Sequence, residues 1–534
     1  MSGTRPATPG PAVTRLAARQ LRRPALIVAA VTAGMSALVV ATYARAVADA
    51  STAQALAALA GNPAIRTLFG EPVALDTAGG FTVWRTGTVL AVLLTTWGAL
   101  ATTRLTRGEE ETGRWDLLLA GRLTPARVLG RHLAVFAAAI ALTGALLAAA
   151  LTAAGTPADG ALLHAAGLAL AGLLAVAAAA CAAQVFPTRA GATGATLAYL
   201  GVGLLARMVG DGVPALAWLR WLPPYGPLAL TRPYRDDQWA PLVALALTAA
   251  ALAGLALALA GRRDVRAGLL RPPAGRAPRR WLLGSVGTFA VRRAVRPLAG
   301  WSAGVGAYFL LIGLLADSLT GFLADNPRFA DLAAQAGFAG LGTVRGYAAT
   351  LFALLAIPIG AFATARLTAF AAAENTGRLT LLHAGPVTRT RLLTAEVTTT
   401  VAGTAVLAAV AAVATWAGAQ VVGGDLPLAA ALAGTANVLP VALLGAAAAT
   451  LALGLAPRAV AAIGMLPTAG GFLLKVTADS VHAPAWVGRL SPFAHLAPVP
   501  ANGPNWTATA VMLGVAATVT GAGVRAYQRR DLWL

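Results

Sequence analysis

Long apolar runs separated by short charged stretches set the rhythm of this chain. Twelve runs poor in charge approach or exceed the roughly 20 residues that a helix needs to cross a bilayer. They fall at 24–45, 82–103, 132–154, 161–186, 190–209, 241–261, 298–319, 347–369, 396–422, 427–456, 459–475 and 505–525. The run 459–475 is the shortest and holds Pro467, Gly470 and Gly471, so a kink is expected there. The pattern predicts an all-α polytopic membrane protein. Composition agrees: with 58% hydrophobic and 11% charged residues, 534 residues have too few polar side chains to cover a soluble globule.

Twelve crossings place both termini on one side, and the positive charges identify that side as cytoplasmic. Counting each charge with its nearer face gives 30 Lys and Arg against 8 acidic residues on one side, and 11 against 12 on the other. One face therefore carries +22 and the other −1, which together make the net +21. Topology accounts for the basic balance, so nucleic acid is not an expected partner. The lone cysteine, Cys181, lies inside a span and excludes a disulfide framework or a cysteine-based metal site. No cleavable signal peptide is expected, because the polar, Arg-containing first 24 residues lead into an apolar run long enough to remain as a span. The preference for Arg, with Lys475 the single lysine, and the abundance of Ala suggest GC-rich bacterial coding and a bacterial plasma membrane.

The chain also repeats itself. At an offset of 264 residues, "EETGRWDLLLAGRLTPAR" (110–127) and "ENTGRLTLLHAGPVTRTR" (374–391) share ten of eighteen positions, including Glu110/Glu374, Gly113/Gly377, Arg114/Arg378, Leu117/Leu381 and Thr124/Thr388. Asn62-Pro63 matches Asn326-Pro327 at the same offset, while "RQLRRP" (19–24) pairs with "RRAVRP" (292–297) and "LPPYGPL" (222–228) with "LSPFAHL" (490–496) nearby. The expectation is two parallel six-helix repeats with pseudo-twofold symmetry. Residues 1–23 form a cytoplasmic N-terminus with an amphipathic helix lying on the inner membrane surface, and 24–261 the first six-span repeat. Residues 262–296 form a cytoplasmic linker with a second interfacial helix, 297–525 the second repeat and 526–534 the C-terminus.

Transport needs an energy source. The only lysine follows Leu474, so no GxxxxGK[ST] phosphate loop exists in this chain. No Asp or Glu lies at the centre of a span, with Asp317 and Glu396 at span ends, which disfavours ion coupling. The five histidines show no HExxH or comparable ligand spacing, so no metal site or catalytic residue is expected. The energy must come from another chain, and the repeated stretch is where it would enter. Glu109, Glu110 and Glu111 are expected at the N-terminus of an amphipathic helix, complementing its macrodipole. Trp115, Leu117, Leu118 and Leu119 form its apolar run, and Arg122, Arg127 and Arg131 follow at its C-terminus. Between the second and third spans, on the cytoplasmic face, such a helix can dock on a soluble protein and pass its movement to two spans. The alternative is an interfacial helix that only caps the span pair.

These residues resemble the coupling stretch of ABC-type-2 exporter permeases. More narrowly, the chain is similar to double-length, twelve-span actinobacterial permeases regarded as polyketide-antibiotic exporters. "EEETGRWDLLLAGRLTPARVLGRHL" (109–133) carries the resemblance, supported by the two Asn-Pro pairs, "FPTRAGA" (186–192) and "WLPPYGPLALTRPYRDDQWAPL" (221–242). The resemblance implies a permease that binds no cofactor itself and pairs with two copies of a separate ABC ATPase, which holds ATP and Mg. It also implies that Glu109, Glu110, Glu111, Gly113, Arg114 and Leu117, with Glu374, Gly377, Arg378 and Leu381, belong to the ATPase-coupling interface. The second copy departs from the pattern at Asn375 and His383. Two short re-entrant helices before the last span of each half are implied at 211–240 and 478–504. The expected cargo is a hydrophobic or amphipathic small molecule leaving the cell. Its pathway would run between the halves, lined by Thr95, Thr96, Trp97, Met208, Tyr347, Thr350, Met465 and Phe472. An ion-coupled multidrug carrier and a non-transporting membrane component regulated by a bound ATPase remain the alternatives.

Overall fold

The computed structural model describes residues 9–46, 62–270, 280–325, 340, 342–480 and 483–530. Asn326-Pro327, His482 and part of the linker lie outside the described residues. Among the described residues the secondary structure is helical throughout, and twelve helices are long and apolar enough to cross a membrane. The chain divides into two units, Met1–Arg276 and Ala277–Leu534.

The six long helices of the first unit are α1 (Pro9–Ala46), α2 (Ala78–Glu111), α4 (Pro125–Ala153), α5 (Ala158–Val185), α6 (Arg189–Gly212) and α7 (Ala240–Ala260); a short α3 (Arg114–Leu119) joins α2 to α4. The second unit repeats the series with α8 (Val286–Leu314), α9 (Val344–Asn375), the short α10 (Thr380–His383), α11 (Arg389–Val421), α12 (Leu428–Leu455), α13 (Pro457–Ala478) and α14 (Trp506–Arg529). Within each unit the same three pairings dominate: first span on third, second on fourth, fourth on sixth. The fourth spans, α5 and α12, are the most enclosed helices of their units.

Small residues make these contacts close. A methyl group on Gly313 would fall 2.2 Å from the Thr415 carbonyl oxygen, and one on Gly418 2.4 Å from that of Leu310, so α8 and α11 touch backbone to backbone. The many buried threonines satisfy themselves by donating to the carbonyl one turn back, as Thr86 does to Thr82 at 2.8 Å and Thr415 to Ala411 at 2.8 Å. That is how uncharged polar residues persist in apolar spans.

Several boundaries differ from the sequence expectation. The amphipathic stretches before the first and seventh spans are not separate helices: α1 runs unbroken from Pro9 and α8 from Val286, past Pro24 and Pro297. Of the stripe Val13, Leu16, Ala17 and Leu21, all but Leu16, which is 44% exposed, are buried within the first unit, and Ala290 and Ala294 are buried within the second, so protein covers most of these apolar stripes. The tenth span is interrupted at Val438, before Pro440. In α13 the expected irregularity is a π-helical turn at Leu466–Gly470, containing Pro467. Two short helical pieces precede the last span of each unit, Pro214–Trp221 and Gly226–Leu230 in the first, Ala485–Arg489 and Pro492–His495 in the second.

Candidate coupling site

The acidic cluster does not open a helix; it closes one. After Thr103, α2 passes through a π-helical turn, Arg104–Gly108, and continues to Glu111. The chain then reverses at Gly113, whose φ of 76° is left-handed and whose N–H donates to the Glu110 carbonyl at 3.1 Å. Glu109, Glu110 and Glu111 therefore sit where a helix presents its last carbonyls, and the macrodipole disfavours a carboxylate there. The favourable N-terminal placement expected from sequence is replaced by an unfavourable one that needs cations and N–H donors.

Those partners come from elsewhere in the first unit. Glu110 is 2% exposed and accepts four bonds: from Arg107 at 3.1 Å, from both terminal nitrogens of Arg263 at 2.6 Å each, and from the Arg266 backbone N–H at 2.7 Å. Arg107, fully buried, also donates to the carbonyls of Ala267 and Arg266. Arg263 donates from Nε to Gln184 at 2.7 Å. The segment after α7 is thereby pinned under the end of α2, and it is held on its other edge by Leu269 and Leu270 N–H groups donating to Gln184 and Val185 carbonyls at 3.1 and 2.9 Å. Glu109 pairs with the more exposed Arg114 at 2.8 Å, and Glu111 accepts from the first N–H of α6, that of Arg189, at 2.5 Å.

Short as it is, α3 has two faces. Trp115 is buried, stacked 6.1 Å from the His132 ring, with Leu118 and Leu119 packed into the same cluster. Leu117 points the other way and is 80% exposed. Arg127 and Arg131 belong to the start of α4 rather than to the end of α3, because Thr124 caps α4 and Pro125 occupies its first turn.

The second unit builds the same arrangement from different side chains. Gly377 reverses the chain with φ 70° and donates to the Glu374 carbonyl at 3.0 Å. Glu374, at the end of α9, has a side chain only 6% exposed that pairs with Arg530 and accepts from the Tyr527 hydroxyl at 2.5 Å. Arg530 also donates to the Leu453 carbonyl at 2.5 Å and stacks on Tyr527. The offset of 264 places Arg266 on Arg530 and Arg263 on Tyr527. Leu379, buried, stands where Trp115 stands in the first unit. Thr388 caps α11 as Thr124 caps α4, each accepting at 3.3 Å from the arginine N–H three residues on. The Arg378 N–H donates to Ala373 at 3.0 Å, while the side chains of Leu381 and His383 lie outside the described residues.

The proposed lining residues divide. Thr95, Met208 and Tyr347 are buried inside their units, with Thr95 bonded to the Tyr225 hydroxyl at 2.7 Å and Tyr347 donating to Ile312 at 3.1 Å. Thr96, Trp97, Thr350, Met465 and Phe472 are partly exposed; Trp97 packs on Phe136 and Phe472 on Phe493. A third ionic group forms around Glu396, which the sequence shows only as a charge at a span end. Glu396, in α11, is buried against Arg366 of α9 and lies 3.5 Å from Arg293 of α8, with Arg366 also donating to the Arg293 carbonyl at 2.9 Å. The residues that hold Glu110 and Glu374 were missed, although the Arg266/Arg530 identity at the established offset was a readable signal.

Twelve apolar helices in two units, each with an ion-clamped turn after its second span and no strand among the described residues, define a polytopic helical membrane protein. The particular family follows from comparison. A family model described as "Multidrug efflux system permease Rv1217c, C-terminal domain" matches residues 13–260 and again 283–528, and the chain belongs to that family. It is 33% identical over 502 residues to the multidrug efflux system permease protein Rv1217c of Mycobacterium tuberculosis (strain ATCC 25618 / H37Rv), a match covering 90% of this chain and 87% of that protein. The chain is thus a multi-pass permease subunit of an exporter, of the double-length ABC-2 type.

Proposed function

We propose that this permease is driven by ATP hydrolysed in two copies of a separate ABC ATPase, which engage α3 and α10 and hold the ATP and Mg. The observation that carries the reading is the recurrence, in both units, of an ordered turn after the second span, with Leu117 exposed beside a buried anchor in the first. A rigid protrusion with an exposed apolar tip suits docking on a soluble partner. Glu110 and Glu374 act beneath that surface rather than on it; Glu109, Arg114 and Leu117 form its outer side. With both termini cytoplasmic, as the charge distribution argues, the turns face the cytoplasm of a bacterial cell. The cargo is a hydrophobic or amphipathic drug-like compound moved outward, in keeping with the multidrug efflux named for the relative. Glu396 does not favour ion coupling, because two arginines already compensate its charge.

The test is co-expression of the tagged chain with a separate ABC ATPase from the same genome. Stoichiometric co-purification is expected, together with ethidium efflux from cells that persists when a protonophore collapses the proton gradient and stops when the ATPase carries a Walker A lysine substitution. Efflux that follows the proton gradient and ignores the ATPase would overturn the reading.

A further inference from the structure

Resting on the coupling reading above, we infer that in each unit the last span is a third arm of the coupling device. The buried glutamate ending the second span ties it to the segment just beyond the sixth, so that both move as one body.

The tie is built twice from non-identical parts. In the first unit Glu110 grips Arg263 bidentately and takes the Arg266 N–H, both residues following the end of α7 at Ala260. In the second, Glu374 grips Arg530 and Tyr527, at the end of α14. The two glutamates align at the offset of 264, and so do Arg266 and Arg530, yet bidentate Arg263 is replaced by a tyrosine. A contact that only filled space would have no reason to keep a carboxylate at a helix C-terminus, where the dipole opposes it. What both units retain is the connection between the turn and the sixth span. Both ties also reach further: Arg263 continues to Gln184 near the end of α5, and Arg530 to Leu453 near the end of α12, so the fourth span of each unit is engaged as well. A push on α3 or α10 is then delivered to the second, third, fourth and sixth spans together. Glu110, Arg263, Glu374 and Arg530 are positioning residues in this scheme; none needs to touch the ATPase.

The experiment uses the permease–ATPase complex, with Cys181→Ser as background and spin labels at Thr112→Cys and Asp264→Cys, or at the equivalent Thr376→Cys and Gln528→Cys. Interspin distances are compared in the nucleotide-free and the ATP–vanadate-trapped complex. The intact chain should keep one narrow distribution for each pair in both states. Glu110→Gln should keep the ATPase but broaden and shift only the 112–264 distribution on trapping, and Arg530→Gln only the 376–528 distribution. Distributions that match the intact chain in both variants, or that already shift in the intact chain, would overturn the inference. So would loss of the ATPase from both variants as complete as that caused by Leu117→Asp, since the carboxylates would then act at the docking surface. Failure of the unsubstituted chain to hold the ATPase at all would instead sink the proposed function. In that case the detergent-solubilised permease alone still tests the tie, which predicts broader distributions in the two variants.

Discussion

Glu110→Gln is the sharpest probe of the buried clamp, because it alters one atom of the side chain and none of its shape. All four partners of the carboxylate are donors: Arg107 and one Arg263 nitrogen on Oε2, the other Arg263 nitrogen and the Arg266 N–H on Oε1. A glutamine keeps one acceptor oxygen and turns an NH2 toward the other pair. Two buried donors then face a donor, at about 1–3 kcal/mol each. Arg107 and Arg263, 0% and 5% exposed, also lose the charge between them. Removing one partner of a buried ion pair costs about 3–5 kcal/mol, which is the expected destabilisation of the first unit. For a unit of this size it corresponds to a drop in midpoint on the order of 10 °C. The control is Glu109→Gln: its partner Arg114 is 65% exposed, and such surface pairs contribute about 0–1 kcal/mol. Cys181, the sole thiol, donates to the Leu252 carbonyl and is partly buried in this unit, so thermal exposure to a thiol-reactive fluorophore reports its unfolding. Equal midpoints for the two variants would refute the clamp as an energetic anchor.

Three further expectations follow from the same geometry. Gly113→Ala and Gly377→Ala both force an L side chain into a left-handed turn, about 1–2 kcal/mol each. The two should cost about the same in tryptophan-monitored melting, since the 2.7 Å contact of the Gly113 methyl is with the movable tip of the exposed Arg266 side chain, and the methyl at Gly377 lies an ordinary 3.5 Å from Thr380. Leu117→Asp, on an exposed position, should leave the stability of the first unit within about 0.5 kcal/mol of the parent while lowering recovery of the ATPase in pull-downs. In a Cys181→Ser background, a membrane-impermeant maleimide added to intact cells should label Gly503→Cys and spare Gly121→Cys, both open positions; the reverse pattern would invert the topology.

Much of the architecture could be read from one-dimensional periodicity. Span number, the duplicated unit and the irregular eleventh span depend on local composition: a bilayer demands about 20 apolar residues per crossing whatever the neighbours are, and Pro467 disturbs its own helix. The match of Gly113 with Gly377 was equally local, since only glycine takes the left-handed turn without cost. Thr124 and Thr388 were visible as identities, and their capping role explains why they persist.

Where the helices end was a different matter. A cluster of glutamates reads as an N-terminus because isolated helices prefer it there. In the folded unit the preference is overridden by Arg107, Arg263 and the Arg266 N–H, two of which lie more than 150 residues further along the chain. The flat interfacial helices were misjudged for the same reason. An amphipathic stripe such as Val13, Ala17 and Leu21 specifies that something apolar must cover it, and packing within the unit supplied that cover. Glu396 looked like a charge at a span end until α8 and α9 brought Arg293 and Arg366 to it. The sequence alone determined which segments cross and that the unit is used twice, because each span answers to the solvent around it. Only the tertiary structure decided which charges meet, because a buried ion pair depends on residues that share space and not sequence.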